Sequence, residues 1–128
     1  MRILIVEDDL ELQEMITALL HRIDPQIEVD TAVNGEETIG LMSSQILNPK
    51  FNYDLIISDV TLEGSATGFD LWKFCSKKFP STYFVFMSGI SQVEFFDKLK
   101  DDPQCPPFLS KPFVMEKFRE LINEVMSR

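Results

Sequence analysis

Carboxylates follow two short apolar runs of this 128-residue sequence. Asp59 follows residues 55–58, and an acidic triplet at residues 7–9 follows residues 3–6. Such runs predict strands that are buried on both faces, which is typical of parallel sheets. A carboxylate at the C-terminal end of such a strand lies at the crevice where open α/β sheets bind ligands. Because Asp59 is too far from the helix expected near Phe69 to cap it, we expect Asp59 to act in that crevice.

Two other polar residues stand at the ends of apolar runs. Ser88 follows residues 83–87, and Lys111 follows a short strand expected at residues 108–110. At a shared edge of the sheet, three repelling carboxylates would be offset by Mg²⁺, which prefers oxygen ligands. A metal, a hydroxyl and a lysine around a carboxylate suit phosphoryl transfer to that carboxylate. The residues that would meet there are Glu7, Asp8, Asp59, Ser88 and Lys111.

The elements that would position these residues alternate strictly between strand and helix. Asp8 or Asp9 can cap the first helix, and Asn34, with Glu37 three residues later, predicts the start of the second. Five strand–helix units predict a doubly wound α/β fold of the flavodoxin type, (βα)5, with a five-stranded parallel sheet of order 2-1-3-4-5. The expected strands cover residues 3–6, 27–31, 55–58, 83–87 and 108–110, and a helix follows each of them.

The composition is that of a globular domain and argues against several classes of function. Hydrophobic residues make up 45% and charged residues 26% of the sequence, which are globular values. The net charge of −9 disfavours direct binding to nucleic acid or to an anionic membrane. No apolar run suits a membrane helix, and the early acids rule against a signal peptide. Cys75 and Cys105 lack metal-binding spacing and are expected as reduced thiols in the cytoplasm, with His21 at the surface.

Four motifs of the sequence resemble those of response-regulator receiver domains, in the same order and over the whole chain. We therefore expect residues 1–128 to form one such domain, with no output domain after it. The chain departs from the family pattern at Glu63, where such domains usually carry Pro, and at Gly68, which comes one residue later than usual. The loop after Asp59 should therefore be longer and less rigid than is typical. The four motifs occupy residues 3–9, 54–59, 87–89 and 110–113.

The resemblance implies a phosphorylation site built around Asp59. Asp59 matches the residue that accepts the phosphoryl group, and Asp8 matches the acid that binds Mg²⁺ directly. Glu7 matches the partner of that acid, which often acts through water. Thr61 matches the position whose backbone carbonyl also binds the metal. Asp9 lies outside this set, so we expect it to cap the first helix.

The resemblance also implies how a signal would enter and leave. Ser88 and Lys111 match the hydroxyl and the lysine that hold the phosphoryl oxygens, and Phe108 matches an aromatic switch position. The donor would be a histidine kinase, a phosphotransfer protein or a small molecule such as acetyl phosphate. The protein would catalyse only its own phosphorylation and dephosphorylation. A downstream protein, or a second copy of the chain, would bind the face of the fourth helix, fifth strand and fifth helix, where Phe95 is a candidate contact.

Three other interpretations share parts of this pattern. A Mg²⁺-dependent phosphatase with an Asp nucleophile would need a second acid at the position of Thr61. A receiver-like interaction module that is never phosphorylated would have no physical need of the full set of polar residues. A flavin-binding protein of the same topology would need a phosphate-binding loop after the first strand, where the acids at residues 7–9 would repel the phosphate.

Overall fold

The computed structural model describes residues 1–45, 52–60, 67–88, 106–110 and 114–127. They form a five-stranded parallel sheet of order β2-β1-β3-β4-β5, which confirms the predicted fold. The helix expected from Ser91, with Phe95, lies outside the described residues, so the helix after β5 is α4 here. The strands are β1 (Arg2–Val6), β2 (Glu28–Ala32), β3 (Leu55–Asp59), β4 (Tyr83–Ser88) and β5 (Phe108–Ser110), and the helices are α1 (Leu10–Ile23), α2 (Gly35–Gln45), α3 (Gly68–Lys78) and α4 (Met115–Met126).

The two strands that end in acids are neighbours in the middle of the sheet. Every residue of β3 is buried, and so is every residue of β1 after Arg2. The parallel register places Val6 opposite Ser58. Glu7 follows Val6 and Asp59 follows Ser58, so the register brings these two carboxylates to the same edge of the sheet.

Helices cover both faces of the sheet, and the side chains of β1 alternate between the two layers. Leu4 and Val6 pack in the core with residues of α2 and α3, whereas Ile3 and Ile5 pack in the core with residues of α1 and α4. All four side chains are fully buried, and full burial of such a side chain contributes about 1.5–3 kcal/mol. The continuous apolar run of β1 is thus explained by the cover on both faces.

Side-chain caps start the two helices that flank the acidic edge. Asp9 Oδ1 accepts hydrogen bonds from the backbone N–H groups of Glu11 at 3.0 Å and Leu12 at 3.3 Å, which confirms Asp9 as the cap of α1. Thr67 Oγ1 accepts a bond of 3.2 Å from the Asp70 N–H, and the Asp70 carboxylate accepts one of 3.0 Å from the Thr67 N–H. The Thr67 backbone N–H, and then its hydroxyl, lower the pKa of Asp70.

The second strand begins one residue later than the sequence predicts. Ile27 was expected to open it, but the Ile27 N–H donates to the Asp24 carbonyl at 3.2 Å, so Ile27 belongs to the turn after α1. The side chain of Ile27 is buried and anchors that turn. His21 lies at the surface as expected, with its Nε2 3.0 Å from the Ile27 carbonyl oxygen.

Candidate metal centre

Three carboxylates converge at the C-terminal edge of the sheet. One ligand oxygen from each of Glu7, Asp8 and Asp59 lies within 4.8 Å of the other two. Glu7 and Asp59 are 2% and 5% exposed, whereas Asp8 is exposed to solvent. The cluster therefore has a buried base and an open side through which a ligand can enter.

The turn between β1 and α1 divides its three acids between two tasks. The Glu7 N–H donates to the Ala32 carbonyl at 3.0 Å, which continues the pairing of β1 with β2 by one residue. The Glu7 carbonyl accepts a hydrogen bond of 2.6 Å from Gln13 Nε2, and Glu7 Oε1 accepts one of 3.3 Å from the Asp9 N–H. Asp9 caps α1, so Glu7 and Asp8 are the acids of the turn that face Asp59.

The end of β3 is held by backbone contacts on both sides. The Val60 N–H donates to the Met87 carbonyl of β4 at 3.1 Å, and the Gly68 N–H donates to the Val60 carbonyl at 3.1 Å. A Cβ atom at Gly68 would overlap the Asp59 carbonyl oxygen and would come within 2.9 Å of Val60 Cα. Gly68 therefore lets the start of α3 approach the residue that carries the central carboxylate.

Sequence reasoning placed Gly68 in a loop pattern and missed this role. The available signal was a Gly directly after a capping Thr, because a helix that starts against a strand leaves no room for Cβ. Gln13 was missed for a related reason. It is a polar residue that lies on the buried face of α1, and a glutamine in the sequence does not by itself indicate a buried position.

The other predicted site residues are described in part. Ser88 ends β4, one residue beyond the partner of Asp59 in the register, and its backbone thus reaches the same edge. The Ser88 side chain, Thr61 and Lys111 lie outside the described residues, as does Glu63. Phe108 pairs with Phe86 in the β4–β5 register and packs, partly buried, against the core on the α2 and α3 side.

The donor set fits a hard divalent cation. Mg²⁺ binds oxygen ligands at about 2.0–2.1 Å, which separates ligands on opposite sides of the ion by about 4 Å. The spacing of at most 4.8 Å between the three carboxylate oxygens is close to that value. Within the part of the chain that the structure describes, no other group of three or more His, Cys, Asp or Glu side chains comes as close together.

The buried thiol of α3 is a poor ligand and a poor nucleophile. Cys75 is 2% exposed, and burial raises its pKa to about 12. A thiol with this pKa stays protonated at neutral pH, whereas metal binding and nucleophilic attack both require the thiolate. Cys75 is therefore a core residue. Cys105 lies outside the described residues.

The chain belongs to the response regulator receiver domain family, whose family model matches residues 3–123. A protein described as probable transcriptional regulator ycf29, from Pyropia yezoensis, is 30% identical over 133 residues. That match covers 99% of this chain and 54% of the relative. The protein of the same description from Porphyra purpurea is 30% identical over 129 residues, which cover 98% of this chain and 56% of the relative. The chain thus spans about half the length of these curated relatives.

Solved structures have the same architecture. The chemotaxis response regulator CheY4 of Vibrio cholerae superposes with a TM-score of 0.74 at 27% identity, over 97% of each chain. The signal receiver domain of an HD domain-containing protein from Pseudomonas fluorescens Pf-5 gives a TM-score of 0.81 at 19% identity. That match covers 98% of this chain and 86% of the other, and at this identity it shows the fold alone.

Membership in this family defines the class of the protein. Receiver domains are the phosphorylation-dependent signalling parts of two-component response regulators, and they are typically switches rather than enzymes in the ordinary sense. Response regulators interact with kinases and with downstream targets. Among the helices within the described residues, none combines the length and the apolar character that crossing a bilayer requires.

Proposed function

We propose that this chain is a phosphorylation-dependent switch in which the Asp59 carboxylate accepts a phosphoryl group in the presence of Mg²⁺. The observation that carries the proposal is the convergence of the Glu7, Asp8 and Asp59 oxygens within 4.8 Å at the end of the central strand. Like charges gathered in a buried crevice are unfavourable unless a cation joins them. In a receiver domain, that cation would also offset the negative charge of the incoming phosphoryl group.

The proposed reaction is a transfer from nitrogen to oxygen. One oxygen of the Asp59 carboxylate attacks the phosphorus of a phosphohistidine on a histidine kinase or a phosphotransfer protein. A P–O bond forms as the P–N bond breaks, and the electron pair of the P–N bond stays on the imidazole nitrogen. With acetyl phosphate, the same attack breaks a P–O bond and releases acetate. When bound, Mg²⁺ offsets the negative charge on the phosphoryl oxygens.

The remaining ligands follow from the family motifs. Asp8 would bind Mg²⁺ directly, and Glu7 would assist it from the buried side of the cluster. The backbone carbonyl of Thr61 would supply another ligand. Ser88, at the end of β4, and Lys111, the residue after β5, would hold the phosphoryl oxygens. The position of the Ser88 backbone at the same edge as Asp59 supports this arrangement.

The proposed switch couples Ser88 to Phe108 through the pairing of β4 with β5. A phosphoryl group on Asp59 would draw the Ser88 hydroxyl towards it, and Phe108 would then take up the vacated space. Two or three new charge-assisted hydrogen bonds, at about 1.5–3 kcal/mol each, supply the roughly 5.5 kcal/mol that near-complete conversion requires. The partly buried state of Phe108 supports a side chain that can pack in more than one way.

The output of this switch would be a protein contact. The curated relatives are described as probable transcriptional regulators, and we propose that this chain likewise serves a regulator of gene expression as its receiver domain, residues 1–128. The net charge of −9 disfavours contact with DNA by the chain itself. A change in the packing of Phe108 would therefore act on a downstream protein rather than on DNA.

The test is to incubate the chain with acetyl phosphate and Mg²⁺ and to measure intact mass. We expect the wild type to gain the mass of one phosphoryl group and Asp59→Ala to gain none. Chelation of Mg²⁺ should also abolish the gain. Equal labelling of Asp59→Ala and the wild type would contradict the proposal.

The matched control is Asp9→Asn. This change removes one charge from the same acidic triplet but keeps a good helix cap, because Asn and Asp are similarly favourable at that position. We expect Asp9→Asn to be labelled like the wild type. This control separates the loss of the acceptor from a general loss of negative charge near the crevice.

A further inference from the structure

We propose that Gln13 is a positioning residue for the metal centre, a role that rests on the proposed function. Its side-chain amide ties the turn that carries Glu7 and Asp8 to the end of β2. The acids of β1 are thereby held in place to meet Asp59 of β3. Gln13 itself does not touch the metal.

The amide of Gln13 is buried and fully engaged at its nitrogen. Gln13 lies in the first turn of α1, 6% exposed, on the same face as the core residues Ile16 and Leu20. Its Nε2 donates to the Glu7 carbonyl at 2.6 Å and to the Ala32 carbonyl at 3.1 Å. A buried amide is unfavourable unless it is hydrogen-bonded, so the two bonds and the burial of the side chain depend on each other.

These two bonds act on the backbone of both metal-binding acids. The Glu7 carbonyl and the Asp8 nitrogen lie in one planar peptide unit. A hydrogen bond that sets the direction of the Glu7 carbonyl therefore also sets where Asp8 begins. The Ala32 carbonyl accepts a second bond, of 3.0 Å, from the Glu7 N–H, so β2, the turn and α1 meet at these carbonyls.

A purely structural role explains this arrangement less well. The pairing of β1 with β2 is already complete over five residue pairs, from Arg2 with Glu28 to Val6 with Ala32. One Gln13 bond ends on the carbonyl of Ala32, the last residue of that ladder, and the other ends on the Glu7 carbonyl beyond it, where the turn carries Glu7 and Asp8 towards Asp59. An apolar residue would fill the buried face of α1 equally well but would leave the turn free to move outward.

The test is a Mg²⁺ titration of Gln13→Met, followed by calorimetry. Met has a similar length and no donor, so it fills the same space without holding the two carbonyls. We expect the Mg²⁺ midpoint to rise about tenfold, since loss of groups that orient metal ligands has effects of that size. We expect the final extent of labelling by acetyl phosphate at saturating Mg²⁺ to match the wild type, because Asp59 is untouched.

The control variant is Thr17→Val, one turn further along the same helix. The Thr17 hydroxyl donates to the Gln13 backbone carbonyl at 2.8 Å, and no bond of this hydroxyl reaches the acidic turn. Both variants lose side-chain hydrogen bonds in α1 and should lower thermal stability. Only Gln13→Met should shift the Mg²⁺ midpoint, which separates positioning of the acids from general weakening of the helix.

The outcomes distinguish this inference from the function on which it rests. If the wild type shows neither Mg²⁺ binding nor labelling, both proposals fall. If the wild type binds and is labelled but Gln13→Met keeps the wild-type midpoint, only the role of Gln13 falls. Should Gln13→Met not fold, Gln13→Asn replaces it, because its shorter amide can reach one carbonyl at most. An unchanged midpoint in that variant also overturns the role.

Discussion

The N-terminal and C-terminal ends of the sheet differ in how their charged side chains are arranged. Near the N-terminal end, the Arg2 guanidinium lies 3.0 Å from Asp30 and 3.5 Å from Glu28. It also lies 4.9 Å from the centre of the Tyr53 ring, and the Tyr53 hydroxyl donates to Asp30 at 2.6 Å. At the C-terminal end, three carboxylates approach within 4.8 Å of one another: Glu7, Asp8 and Asp59.

The difference separates an end where opposite charges are in contact from an end where like charges converge. Opposite charges in contact reduce each other's cost of leaving water, whereas like charges in contact increase it. A protein tolerates an unfavourable cluster where activity requires it, and it loses some stability there. Removal of a charged group should therefore change stability in opposite directions at the two ends, and the following predictions test that contrast and the packing beside it.

The largest effect should come from Gly68→Ala, which changes the C-terminal end alone. The added Cβ would overlap the Asp59 carbonyl oxygen, and the neighbouring atoms are backbone that cannot turn away. We expect the free energy of unfolding to fall by about 3 kcal/mol, at the upper end of the range for overpacking. We also expect slower labelling by acetyl phosphate, because the start of α3 must move away from Asp59. Chemical denaturation and intact mass measure the two effects.

The control for this change is Gly40→Ala in α2. A Cβ atom at Gly40 would meet nothing within 4 Å. Ala is better than Gly inside a helix by about 0.5–1 kcal/mol, so Gly40→Ala should stabilise the protein. If both variants changed stability in the same direction, the close approach of α3 to β3 would not be the cause.

Much of the fold could be predicted from the sequence because local patterns determine it. The apolar runs of β1 and β3 can be buried only in a sheet that is covered on both faces, and strict alternation with helices leaves few topologies. The convergence of Glu7, Asp8 and Asp59 follows from the same logic, since Glu7 and Asp8 are the first two residues after β1 and Asp59 is the last residue of β3. Predicting their position requires the strand order but no detail of side-chain packing.

The roles of Gln13 and Gly68 were missed because they depend on how elements dock. Gln13 reaches two carbonyls only when α1 lies against the ends of β1 and β2. Gly68 matters only when α3 starts against the backbone of Asp59. The first residue of β2 was missed on similar grounds, because Ile27 is apolar in either a strand or a buried turn.

A smaller effect, of the sign expected for a stabilising contact, should come from Arg2→Met at the N-terminal end. The variant keeps the aliphatic contact but leaves Asp30 and Glu28 without the guanidinium. Because the carboxylates are largely exposed, we expect a loss of about 1 kcal/mol in the free energy of unfolding, from the ion pairs and the contact with Tyr53 together. Binding of Mg²⁺ should not change.

Lys117→Met provides the comparison for an ion pair without such surroundings. Lys117 lies 3.8 Å from Glu120 with both side chains exposed, at 64% and 70%. Such pairs contribute about 0.3–0.5 kcal/mol at most, so this variant should unfold almost like the wild type. A larger loss for Lys117→Met than for Arg2→Met would mean that the cluster around Arg2 is not a stabilising unit.

A small effect, opposite in sign to that of Arg2→Met, should come from Asp59→Asn in the presence of a chelator. Asn keeps the shape of Asp and removes one of three neighbouring negative charges, so we expect the free energy of unfolding to rise by about 0.5 kcal/mol. Added Mg²⁺ should reverse the order, because a cation that binds the folded wild type stabilises it in proportion to occupancy and the variant lacks a ligand. A loss of stability in chelator would mean that the Asp59 carboxylate is a net stabilising partner, like Asp30 at the other end. The two ends would then differ in the residues that they contain, but the charged groups at both ends would stabilise the fold.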